Sequence, residues 1–200
     1  MLKNIVFDIG QVLLTFEPER YLQNYFDSQE EIERVARATF RSPEWLNLDR
    51  GTWNRQQAAD YFAERLPEIA EPVKEAVLSW PDMLKPISGT IEILTELSAE
   101  DYNIYALSNY PAEGYEEARE IFSFWKHFDG LVISGQEGYI KPESEIYHIL
   151  LARYELEPGE TLFIDDSPQN IEGAHKAGMQ EIVFTGAAEL REMLLKKEVL

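Results

Sequence analysis

Three short apolar runs in this chain end in polar residues: Phe7-Asp8, Leu107-Ser108-Asn109 and Ile164-Asp165-Asp166. A further polar feature, Lys141-Pro142, stands just before a stretch with helical spacing. If the runs are strands of one parallel sheet, their C-terminal ends share an edge, and these groups converge although far apart in sequence. Carboxylates gathered in that way are unfavourable unless a cation neutralises them. Singly, each group has a plainer use: Asp8 could cap the next turn, and Asp165-Asp166 could cap a helix that starts near Gln169. Capping accounts poorly for three polar strand ends and a lysine together. The three histidines, His127, His148 and His175, show no ligand spacing, and Gly10 lies in no glycine-rich nucleotide loop.

The elements that must position these groups are legible as periodicities. Ile5-Val6-Phe7 is too short for a helix and reads as a buried strand. From about Pro18 to Trp80 apolar residues recur at helical spacing: Tyr21, Leu22, Tyr25 and Phe26; then Ile32, Val35, Ala36 and Phe40; then Ala58, Ala59, Phe62 and Leu66; then Val73, Val77 and Leu78. Ser42-Pro43, Asp49-Arg50-Gly51 and Leu66-Pro67 punctuate them. After Pro86 strands alternate with helices. Strands are expected at 104–107, 131–133, 162–164 and 182–184, and helices over 90–97, 113–124, 145–154, 169–177 and 187–196. That alternation predicts an α/β fold, a Rossmann-like parallel sheet covered on both faces. The expected organisation is discontinuous: a core from residues 1–14 and 85–200, with an all-helical cap, 15–84, inserted after the first strand. Open α/β sheets place ligands at strand C-termini, so the insertion is positioned to act as a lid.

Composition narrows the partners. A chain of 200 residues with 44% hydrophobic and 28% charged residues is that of an ordinary globular protein. No apolar run reaches the roughly 20 residues that span a bilayer. The N-terminus shows no secretory signal pattern, and there is no cysteine for a disulfide, a thiolate metal site or a nucleophile. A cytoplasmic protein, monomer or homodimer, is expected. The formal net charge of −19 repels nucleic acid and anionic lipid, so neither is an expected partner. An anionic substrate then needs local positive charge from a metal, a lysine or helix N-termini.

Four segments, in order and spacing, make the chain resemble the haloacid dehalogenase-like hydrolases. They are Phe7-Asp8-Ile9-Gly10-Gln11-Val12-Leu13, Ala106-Leu107-Ser108-Asn109, Gly138-Tyr139-Ile140-Lys141-Pro142, and the run from Phe163 through Asp165-Asp166-Ser167-Pro168 to Ala174. The resemblance covers essentially the whole chain. It implies that Asp8 attacks phosphorus to form an aspartyl-phosphate. It implies a Mg²⁺ held by Asp8, the Gly10 carbonyl and Asp166, with Asp165 bound directly or through water. Ser108 would donate to a phosphoryl oxygen, helped by the Asn109 backbone N–H, and Lys141 would place a charge on the phosphoryl group and fix Asp8. Asn170 is read as orienting its loop. The implied substrate is a small phosphorylated metabolite, a sugar phosphate such as glucose-1-phosphate.

The chain departs from the resemblance at one place. Most phosphatases of this kind carry a second aspartate two residues after the nucleophile, as general acid and base; here that position is Gly10. A subgroup resembling glucose-1-phosphate phosphatases also has glycine there. The departure leaves three readings open: a phosphatase whose acid comes from the cap or from water, an L-2-haloacid dehalogenase-type hydrolase, or a non-catalytic phospho-ligand-binding protein. Trp45, Asp49, Arg50 and Trp53 cluster in the insertion, where the tryptophans read as core and Arg50-Gly51 as a plain turn. Glu17 and Arg20 stand near the expected hinge.

Overall fold

A computed structural model of the protein describes residues 1–200. Five strands, β1 (Asn4–Phe7), β2 (Asn103–Ser108), β3 (Gly130–Ile133), β4 (Thr161–Asp165) and β5 (Gln180–Val183), form one sheet in the order β3-β2-β1-β4-β5. Every pairing is parallel. Phe7 pairs with Ala106 on one side and Ile164 on the other, which brings Asp8 level with the ends of β2 and β4. The chain leaves β1 for β2 and β3, then returns to the other side of β1 for β4 and β5. The crevice of such a sheet opens where the winding reverses, beside β1 and β4.

Strand alternation divides the core. Ile5, Phe7, Ile104, Ala106, Leu162, Ile164 and Ile182 face one side, while Val6, Tyr105, Leu107, Val132 and Phe163 face the other. The second side is closed by α9 (Ser144–Arg153) and α10 (Pro168–Lys176) through Ile146, Tyr147, Leu150, Ile171 and Ala174. On the first side lie α6 (Ser88–Leu97) and α11 (Ala187–Lys196), and its core runs on without a break into the segment between β1 and α6.

That segment is helical throughout: α1 (Pro18–Leu22), α2 (Gln29–Ala38), α3 (Leu46–Asp49), α4 (Arg55–Arg65) and α5 (Ala70–Leu78). Asn54 and Gln57 form a capping box that starts α4, the Asn54 side chain accepting from Gln57 N and the Gln57 side chain from Asn54 N. Phe40, Trp45 and Trp80 build an aromatic centre, with ring centroids 4.9 Å apart for Phe40–Trp45 and 6.1 Å for Trp45–Trp80. No helix is long and apolar enough to cross a membrane. The helix expected over 113–124 ends earlier, as α7 (Ala112–Ile121), because Phe124 and Trp125 turn into the core in a tight 3₁₀ segment. A short helix that periodicity could not show, α8 (Ser134–Glu137), follows β3 and ends on Gly138 in the left-handed conformation.

Candidate active site

The sheet brings Asp8, Ser108, Asn109, Lys141, Asp165 and Asp166 to one edge. Lys141 is the hub, although only 2% of it is exposed. Its Nζ donates to the Leu107 carbonyl (2.9 Å) and to Asp165 Oδ2 (2.7 Å), and lies 2.8 Å from Asp8 Oδ1. Three acceptors match the three protons of an ammonium. The Asn109 side chain accepts from Lys141 N and donates to Lys141 O, which ties the lysine loop to the end of β2. Asp165 is fully enclosed. Oδ1 accepts from Ser167 N and Asn170 Nδ2, and Oδ2 from Asn170 Nδ2 as well as Lys141. Asn170 therefore orients the loop after β4 by holding Asp165.

Asp8 differs from Asp165 in what it leaves uncommitted. Its Oδ1 accepts from Ile9 N at 2.7 Å and meets Lys141, whereas Oδ2 has no protein hydrogen bond. Burial pushes the Asp8 carboxyl up to about 7, against the pull of Lys141 and with a further push from Asp165. Ser108 is 1% exposed and its Oγ has no partner, a cost that an arriving acceptor would relieve.

Asp8, Asp165 and Asp166 each place a carboxylate oxygen within 4.8 Å of the others. The Gly10 carbonyl accepts none of the loop's backbone hydrogen bonds, and Gly10 and Asp166 both face the same cavity as Asp8. Oxygen donors without histidine or cysteine fit a hard divalent cation such as Mg²⁺. Asp8 and Asp166 have oxygens to give directly; Asp165 has none that the protein does not already hold.

The loop after β1 explains why residue 10 can lack a side chain. The left-handed residue is Gln11 (φ 56°), not Gly10. Gln11 is held there by donating to Phe16 O (3.0 Å) and accepting from Phe16 N (3.3 Å). A Cβ added at Gly10 would meet nothing within 4 Å. Neither crowding nor backbone conformation demands glycine at this position.

Above these groups lies a cavity of about 520 Å³, within the range of small-molecule sites. Asp8, Gly10, Gln11, Asn109 and Asp166 make its floor. The helical insertion and the residues flanking it supply most of the rest, with Phe16, Phe40, Trp45, Leu46, Trp80 and Leu84 among the apolar groups and Arg41, Ser42 and Asp49 among the polar ones. Trp45 is core, as expected, and also wall. The Asp49-Arg50-Gly51 turn is more than a turn. Ser134 Oγ donates to the Asp49 carbonyl, and Arg50 makes a two-point pair with Glu143 at 2.6 and 2.8 Å. Gly51, at φ +78°, packs so close to the Gly135 carbonyl that a Cβ would come within 2.3 Å of it. Glu17, just before α1, pairs with Arg20 on it at 3.3 Å, and neither takes part in the cavity.

Sequence spacing brought the floor together because every member ends a strand or follows one. Of the wall residues, Phe40 reads in the sequence as a helix-face residue and Ser42-Pro43 as a turn, and Arg41 carries no signal; none of these points to a cavity. Asp49 clusters in the sequence with Trp45 and Arg50, but its neighbours read as turn and core.

The likeness to known proteins agrees with this geometry. The chain is 27% identical over 199 residues to the sesquiterpene phosphatase astK of Aspergillus oryzae, covering 96% of each chain. It is 24% identical over 209 residues to the D-ribitol-5-phosphate phosphatase of Bacteroides thetaiotaomicron, covering 97% of each. Among solved structures, a HAD family enzyme of Bacteroides thetaiotaomicron in complex with magnesium and inorganic phosphate superposes with a TM-score of 0.75 at 22% identity, covering 93% of this chain and 96% of that one. The pattern of the haloacid dehalogenase-like hydrolases matches residues 2–178, and this chain is a member of that family of hydrolases.

Proposed function

We propose that the protein is a Mg²⁺-dependent phosphatase that hydrolyses a small phosphomonoester through an aspartyl-phosphate on Asp8. The observation that carries this reading is the asymmetry of Asp8: Oδ1 is fixed by Ile9 N and Lys141, and Oδ2 is left uncommitted in a residue that faces the cavity. Oδ2 forms the bond to phosphorus while the bond to the leaving oxygen breaks. Water then attacks the same phosphorus, the bond to Asp8 breaks, and inorganic phosphate departs. Lys141 holds Asp8 in place and contributes its charge from beneath, because its protons are already engaged. Ser108 Oγ, buried and unpartnered, is the donor for a phosphoryl oxygen, and the Asn109 backbone N–H assists. A Mg²⁺ held by Asp8, Asp166 and the Gly10 carbonyl, with Asp165 behind a water, would neutralise charge on the phosphoryl group. Residues 15–84 act in this reading as a cap over a core of 1–14 and 85–200. The cluster of Asp8, Asp165 and Asp166, which calls for a cation, favours phosphate over the haloacid alternative, which needs none.

For the substrate body, the cavity favours a reading other than the sugar phosphate implied by resemblance. Phe16, Phe40, Trp45, Leu46, Trp80 and Leu84 present apolar area that a polyhydroxylated ring would bury at a loss. A terpenoid or aryl monophosphate gains about 25 cal/mol for each Å² it buries there. The name of the relative astK supports the same class. Comparing kcat/KM for a sesquiterpenyl monophosphate with that for glucose-1-phosphate, with Mg²⁺ and with EDTA, tests both parts. Turnover that survives EDTA contradicts the metal; a preference for glucose-1-phosphate contradicts the apolar body.

A further inference from the structure

Gly10 leaves the proposed reaction without a proton donor, and nothing on the floor replaces one. Lys141 and Asp165 are engaged, and Asp166 stands among the ligands of the cation. The helical insertion does supply a carboxyl. We propose that Asp49 is the general acid and base of the reaction, reaching the leaving oxygen from the wall of the cavity that Asp8 and Gly10 floor. This inference rests on the phosphatase reading above.

Position is the first support. Asp49 is partly buried at the end of α3 and lines the same cavity as Asp8 and Gly10. It is also held in place. Ser134 anchors its carbonyl, and Arg50 binds Glu143 and the Gly138 carbonyl. These contacts tie the backbone that carries the carboxyl to the segment 134–143, which carries Lys141. A proton donor needs such fixing, because its efficiency depends on staying within reach of the oxygen it serves.

Charge is the second support. Burial, and then the Asp8 charge, push the Asp49 carboxyl up to about 8, against Lys141 and Trp45. The other charged groups facing the cavity are Asp8, Asp166 and Arg41, while Arg50 is neutralised by Glu143. A cation bound at Asp8 offsets the part due to Asp8; the part due to burial remains. The proton inventory closes. Protonated Asp49 gives its proton to the leaving oxygen as that oxygen parts from phosphorus. The resulting carboxylate accepts a proton from the water that attacks the aspartyl-phosphate, so Asp49 ends as it began.

The test uses Asp49→Asn and two substrates of different leaving group, an alkyl phosphate and p-nitrophenyl phosphate. The nitrophenolate needs no proton to depart. Expected is a fall of about 10²–10⁴-fold in kcat/KM for the alkyl phosphate. For the aryl substrate the nitrophenolate burst stays within a few fold, followed by a slower steady state. Adding Gly10→Asp to Asp49→Asn restores at least about tenfold of the lost alkyl turnover, more than Gly10→Asp adds to the unaltered protein. Asp49→Ser serves if Asp49→Asn melts below the assay temperature. Equal losses on both substrates without recovery make Asp49 structural and overturn the inference, as does no loss at all. An unaltered protein that hydrolyses neither substrate overturns the phosphatase reading and this inference with it.

Discussion

The floor and the wall of the cavity are built on opposite principles. The floor is a cluster of charges that satisfy one another: Asp8, Lys141 and Asp165 lie within 2.8 Å contacts, almost without solvent. The wall is aromatic, with one carboxyl; it shares the apolar core of the sheet's first side and is tied at the rim by Arg50–Glu143 and Arg55–Glu117. A cluster whose members are each other's counter-charge tolerates no deletion, whereas an apolar wall trimmed by one side chain loses packing area and keeps its charge balance. Fixed chemistry below and a tunable apolar fit above is the division of labour this predicts.

The comparison can be broken hardest at the nucleophile. Asp8→Asn keeps the shape and removes the attacking oxygen; turnover of any phosphomonoester falls by about 10⁴-fold or more in a steady-state assay. Lys141→Met leaves Asp8 and Asp165 buried without a counter-charge, and destabilisation of about 3–5 kcal/mol is expected in denaturant unfolding. In the wall, Trp45→Ala opens a cavity among Phe16, Phe40, Phe62 and Trp80, costing about 3–5 kcal/mol, and it also weakens an apolar substrate.

A pH effect separates the two carboxyls. With pKa values raised to about 7 and about 8, Asp8 and Asp49 keep protons in the folded state that an unfolded aspartate releases near about 3.9. The folded protein therefore binds more protons than the unfolded one between about pH 4 and about pH 8, and stability falls as pH rises through that window. Thermal melting of metal-free protein should show this slope; Mg²⁺ and Asp49→Asn should each flatten it. The smallest effect belongs to the rim. Arg50→Ala should change stability by less than about 1 kcal/mol while lowering kcat for an alkyl phosphate, because the pair is partly exposed but holds the turn that carries Asp49.

The floor was legible in the sequence because parallel strands impose it. Once Ile5-Val6-Phe7, Ile104-Leu107 and Leu162-Ile164 read as strands, Asp8, Ser108 and Asp165 had to share an edge. The bonding within that edge was not legible: that Lys141 has no free proton, and that Asn109 acts through its side chain on the lysine loop, depends on loop geometry that no periodicity reports. The wall was less legible still. Helical spacing located the insertion, but its cavity-facing residues lie at helix ends and in connections such as Phe40-Arg41-Ser42, where burial is decided by tertiary packing. Gly10 reads in the sequence as a missing acid, but that the turn at Asp49-Arg50-Gly51 packs on Gly135 and Ser134 and puts Asp49 in the same cavity depends on tertiary contacts no spacing reports.

The most direct test of the central claim is to trap the intermediate. Acid quench of the protein with substrate and Mg²⁺ during turnover, followed by peptide mass spectrometry, should find one phosphoryl group on the peptide containing Asp8. The label should be absent in Asp8→Asn and accumulate further in Asp49→Asn with p-nitrophenyl phosphate. Rapid phosphate release with no label on Asp8, or with label on another residue, would contradict the account.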